Sequence, residues 1–123
     1  MTQSSSRRVL VVDDDPDMLR VIRDVLEDEG LIVETAADGG QALSIARELP
    51  LDLAVVDVTL PVLDGSQLAQ HLRTLRGVHF PILAITADGQ AADKARRLGA
   101  YAYLRKPFDL RDLLSAVARG LNA

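Results

Sequence analysis

The 123-residue sequence predicts an α/β fold, with five parallel strands in one sheet and helices on both of its faces. Three observations carry that expectation. Short, largely apolar runs recur five times, and one without polar alternation and rich in β-branched residues, such as Leu53-Ala54-Val55-Val56, reads as a strand buried on both sides. Each run is followed by a segment whose apolar residues return at helical spacing. Finally, Asp13-Asp14, Asp57, Thr86 and Lys106 stand where four of the runs end, and open α/β sheets bind their ligands at the carboxyl ends of strands. The prediction is one domain in three layers.

Each element has its own signals. Val9-Leu10-Val11-Val12 is the first run and leads into Asp13-Asp14-Asp15. Asp15-Pro16 offers a helix cap and a first-turn proline, Met18, Leu19, Ile22, Val25 and Leu26 form a helical stripe, and Gly30 stops it. Leu31 to Ala36 is less uniformly apolar and reads as a strand nearer an edge. Asp38 can cap a helix with Ala42, Leu43, Ala46 and Leu49 inward, closed by Pro50. The central run is Leu53-Ala54-Val55-Val56-Asp57; Pro61 and Gly65 break its extension, and Asp64 can cap a helix bearing Leu68, Leu72 and Leu75 that ends near Gly77. Pro81 opens the run Ile82 to Thr86, where a missing N–H is tolerated. Ala91 to Leu98 reads as a short helix stopped by Gly99, and Tyr101 to Arg105 as the fifth strand. Asp109 caps a last helix with Leu110, Leu113, Leu114, Val117 and Leu121 inward.

Composition narrows the function. Apolar residues make up 48% and charged residues 26%, a globular balance, and no apolar run approaches the roughly 20 residues that span a bilayer. There is no cysteine, which excludes disulfides and thiolate metal sites, and the start has no apolar signal segment. The expected location is the cytoplasm. A net charge of −4 argues against a nucleic-acid binder driven by phosphate contacts. Residues 1–7 read as a polar tail and residues 8–122 as the domain, with no output domain expected.

The residues at the strand ends suggest chemistry. Close carboxylates disfavour one another's ionisation unless a cation neutralises them. Oxygen ligands without His or Cys suit Mg²⁺, which binds one or two carboxylates plus a phosphate and keeps several waters. A carboxylate in such a site can be a nucleophile that forms an aspartyl-phosphate. Lys106 would offer a point charge, and Thr86 a hydroxyl, to phosphoryl oxygens. Each piece also has a purely structural reading: an acidic turn, a strand-ending aspartate, a threonine satisfied by backbone, an ordinary Lys-Pro loop. The combination of all four at one sheet edge favours the chemical reading.

These residues resemble the receiver domain of bacterial two-component response regulators over about Arg8 to Leu121. The likeness rests on Val11-Val12-Asp13-Asp14, on Asp57 with Pro61 and Asp64-Gly65, on Ile85-Thr86-Ala87, on Gly99-Ala100, and on Tyr103-Leu104-Arg105-Lys106-Pro107-Phe108. It implies a flavodoxin-like sheet in the order 2-1-3-4-5 with five helices. It implies that Asp57 is the phosphoacceptor, that Asp14 and Asp57 ligate Mg²⁺ directly, that Asp13 acts through metal-bound water, and that Thr59 contributes its backbone carbonyl. Thr86 and Lys106 would read the phosphoryl group, Tyr103 would be the rotating reporter, and the bond before Pro107 would be cis.

The implied partners are a sensor histidine kinase or histidine phosphotransfer protein upstream and a protein downstream, without nucleic acid or membrane. The implied state is a monomer or a weak, phosphorylation-dependent dimer. The switch surface would be the helix with Lys94, Arg96 and Arg97, the fifth strand, and the last helix with Arg111. Two departures bear on that surface: the segment from Thr86 to Gly99 looks about two residues short for the family, and Tyr101-Ala102 replaces its usual acidic pair. Thr59 and Asp88 occupy positions that tune phosphoryl lifetime in the family.

Other functions fit less well. The chain could be a receiver cut from a longer regulator with a separate output domain. A small aspartate-nucleophile phosphatase would need a second acid that Asp57-Val58-Thr59 lacks. A flavin carrier would want a Ser/Thr/Gly-rich phosphate loop where Asp13-Asp14-Asp15 stands. The expectation is therefore a signalling domain that promotes its own phosphorylation and dephosphorylation, not an enzyme acting on a separate substrate.

Overall fold

Strands and helices alternate throughout the computed structural model, which describes residues 7–58, 65–87 and 91–122. In chain order these are β1 (Arg8–Val12), α1 (Pro16–Asp28), β2 (Ile32–Ala36), α2 (Gly39–Glu48), β3 (Leu53–Asp57), α3 (Gly65–Arg76), β4 (Ile82–Thr86), α4 (Ala91–Leu98), β5 (Ala102–Arg105) and α5 (Leu110–Asn122). All neighbours in the sheet are parallel, and the order is β2-β1-β3-β4-β5. The chain thus has the flavodoxin-like architecture that the resemblance implied.

Successive side chains on a strand face opposite ways, and here that alternation builds two cores. Val9, Val11, Leu53, Val55, Leu83 and Ile85 pack on one side with Ile22 and Leu26 of α1 and Leu113, Ala116 and Val117 of α5. Leu10, Val12, Ala54, Val56, Ile82 and Ala84 pack on the other with α2, α3 and α4, through Leu43, Leu68, Leu72 and Leu98 among others. β3 and β4 are buried at every position because both faces are covered. β2 lies at an edge, as its mixed pattern suggested.

The local signals hold at the helix ends. Asp15 accepts from the Asp17 and Met18 amides, Asp38 from the Gln41 amide, and Asp109 from the Arg111 amide. Gly30, Gly77 and Gly99 adopt positive φ where α1, α3 and α4 stop. The Lys106-Pro107 bond is cis.

Some details differ. Leu31 and Tyr101 lie just outside their predicted strands. Leu110, expected inward, is 38% exposed, because it begins α5 beside a surface groove rather than over the sheet. Arg7, at the edge of the predicted tail, is tied in: its guanidinium donates to Leu121 O at 2.6 Å, and its carbonyl accepts from Ile32 N at 2.9 Å. Pro61 and Asp64 lie outside the described residues.

Candidate functional site

The parallel register brings the ends of β1, β3, β4 and β5 to one edge, where Asp13, Asp14, Asp57 and Lys106 converge. Asp13 follows β1 directly, its amide donating to Ala36 O at 3.1 Å, so the strand geometry carries it inward. Its Oδ1 accepts from the Asp15 amide at 2.9 Å, and its Oδ2 accepts from Lys106 Nζ at 2.8 Å. The same ammonium donates to Asp57 Oδ2 at 3.3 Å. Asp13, Asp57 and Thr86 are buried, whereas Asp14 is exposed. Carboxylate oxygens of Asp13, Asp14 and Asp57 lie within 4.8 Å of one another. Thr59 and Asp88 lie outside the described residues.

The electrostatics are unbalanced. Burial pushes the Asp13 carboxyl above its ordinary value, although Lys106 and the Asp15 amide pull the other way. Burial also pulls on the Lys106 ammonium, but its bonds to, and attraction by, Asp13 and Asp57 prevail and hold its pKa up. Lys106 therefore stays protonated, one cation beside three carboxyl groups. An all-oxygen donor set with surplus negative charge fits a hard divalent cation such as Mg²⁺.

The sheet divides these residues between its two faces. Asp57 continues the alternation of Leu53 and Val55 toward α1 and α5. Thr86 continues that of Ile82 and Ala84 toward α4, and Tyr103, paired with Ala84 in register, stands 46% exposed. The two groups meet in the backbone, where Lys106 N donates to Thr86 O at 2.7 Å. Beside the aspartates, Asp15, Asp17, Met18, Val21, Pro107, Phe108 and Leu110 line an apolar groove of about 340 Å³.

Three arrangements went unread in the sequence. Arg73 and Arg76 of α3 cap the carboxyl ends of α4 and α2 respectively, and Tyr101 bonds to α5. Only Gly120, a glycine inside a helical stripe, could have signalled the last, as a place of close approach.

The chain belongs to the response regulator receiver domain family, whose description matches residues 9–118. The regulatory protein VanRc of Enterococcus gallinarum is 37% identical over 119 residues, covering 95% of this chain and 51% of that protein. The chemotaxis protein CheY4 of Vibrio cholerae superposes with a TM-score of 0.87 at 32% identity, covering 95% of this chain and 100% of that one. The receiver domain of the sensor histidine kinase PA1611 from Pseudomonas aeruginosa, with a magnesium ion in its active-site cleft, gives 0.86 at 32% identity over 97% and 100% of the two chains. The chain spans about half the length of several curated regulators that it matches.

Proposed function

We propose that this domain accepts a phosphoryl group on Asp57 from a phosphohistidine of a sensor histidine kinase or histidine phosphotransfer protein, and that the phosphoryl group alters the binding of a downstream protein. One observation carries the reading: Lys106 Nζ joins Asp13 and Asp57 at the mouth of a three-carboxylate cluster. An Asp57 oxygen attacks phosphorus, the P–N bond breaks, and the imidazole leaves with the bonding electron pair and takes up a proton from solvent. Lys106 and the Thr86 hydroxyl meet the transferred oxygens. Asp14 and Asp57, with the Thr59 carbonyl, would hold Mg²⁺ directly and Asp13 through water; the cation, when bound, offsets phosphoryl and carboxylate charge. Magnesium in the cleft of the PA1611 receiver supports this.

The groove of Met18, Val21, Phe108 and Leu110 suits an apolar helix that presents the donor histidine. On the output side, Thr86 drawn toward the phosphoryl group would leave room for Tyr103 to turn inward. The responding face comprises α4, β5 and α5, whose Lys94, Arg96, Arg97 and Arg111 favour an acidic or amphipathic protein. We assign the domain to the cytoplasm, without a nucleic-acid contact of its own.

Mass spectrometry after incubation with a small phosphodonor and Mg²⁺ tests the assignment. The wild-type chain should gain one phosphoryl group and Asp57→Asn none. Equal gain by both proteins overturns it.

A further inference from the structure

The turn between α4 and β5 is fastened from three directions. Gly99, at φ +71°, ends α4, and its amide donates to Arg96 O at 3.0 Å. The last carbonyls of a helix have no partner within it. Here the Arg73 guanidinium of α3 supplies one, Nη1 donating to Leu98 O and Nη2 to Gly99 O at 2.7 Å. A cation at that end also meets the negative pole of the helix. A Cβ on Gly99 would lie 3.2 Å from Arg73 Nη2, so glycine there serves both the turn and the clamp.

Tyr101 supplies the other two ties. Its amide donates to Ile82 O at 3.1 Å, at the start of β4. Its hydroxyl donates to Ala116 O of α5 at 2.6 Å. The ring reaches α5 because Gly120 leaves a hollow: a Cβ there would stand 2.5 Å from Tyr101 Oη and 2.5 Å from Leu53 Cδ1. Residues 98–101 are therefore bound to α3, β4 and α5, the full length of β4 away from Thr86.

We propose that Arg73 and Tyr101 make the α4–β5 turn a fixed pivot, about which the α4–β5 face moves when Asp57 is phosphorylated. The proposal rests on the switching reading given above. Movement at the Thr86 end then becomes a tilt of α4 and β5 rather than a slide along the sheet. Arg73 and Tyr101 are positioning residues; neither lies in the cluster around Asp57.

Hydrogen exchange of the full chain in Mg²⁺, with and without beryllofluoride as the phosphoryl mimic, tests the pivot. In the wild type, exchange should change within 91–97 and 102–106 and stay within twofold at 98–101. Tyr101→Phe, which keeps the ring and loses the hydroxyl, should still bind the mimic. In that variant the mimic-dependent change should spread into 98–101 and reach about fivefold, the ratio that a hydrogen bond of about 1 kcal/mol supports. Arg73→Lys should spread it likewise. Equal changes at 98–101 and 91–97 in the wild type overturn the pivot and leave the switch standing. A silent α4–β5 face with the mimic bound overturns both.

Discussion

Tyr101 has a physical role that its place beside the α4–β5 turn gives it. Burial pushes its hydroxyl pKa from the ordinary 10.0 up to about 12. A raised pKa means that the folded state holds the proton more tightly than the unfolded chain does. The contribution is therefore intact below pH 10 and is lost as pH climbs through about 12. Tyrosinate absorbance in a Tyr103→Phe background should place the Tyr101 titration near 12, and Tyr101→Phe should flatten the alkaline limb of the stability curve. An ordinary tyrosine titration, or an unchanged limb, refutes the buried hydrogen bond to Ala116. The resemblance marked Tyr101 as a departure from an expected acidic pair, but where its hydroxyl goes was not legible, since Ala116 is 15 residues distant and on another element. Asp13 and Lys106, by contrast, were legible because strand ends in a parallel sheet must converge, even across 93 residues.

At the scale of elements, the apolar runs and caps declared themselves because period, Pro, Gly and Asp act locally. The ties between helices did not. α3 caps both of its neighbours, Arg73 reaching α4 and Arg76 reaching Ala46 O of α2 and Leu49 O just past its end, and surface-looking arginines at i and i+3 give no hint of that. Gly120 tests the α5 contact. Alanine is the better helix former by up to about 1 kcal/mol. The added methyl nevertheless meets Leu53, fully buried in the core, and displaces Tyr101. Overpacking wins, so Gly120→Ala should destabilise by about 1–3 kcal/mol in urea unfolding. Combining it with Tyr101→Ala should recover part of that loss, and strictly additive effects would show that the two residues do not compete for the same space.

For the whole molecule, topology turns a sequence asymmetry into a spatial one. Residues 1–60 hold 13 acidic and 5 basic side chains, and residues 61–123 hold 5 acidic and 9 basic. The sheet order sets β2 and β1 at one side and β4 and β5 at the other, so the domain carries opposite charge at its two flanks. Magnesium supplies the test at this scale. A cation bound to the folded state should stabilise it by about 2.7 kcal/mol at a hundredfold excess over Kd. The wild-type Tm should rise in millimolar Mg²⁺ and that of Asp14→Asn should not; a wild-type Tm indifferent to Mg²⁺ contradicts the site. The two-faced sheet has a last consequence. Asp13, Asp57 and the apolar groove beside α1 belong to one side, and Thr86 and Tyr103 to the other, and the bond from Lys106 N to Thr86 O runs between the strand ends that carry them. A substitution in the groove beside α1 and one around Tyr103 therefore act on opposite faces of one sheet.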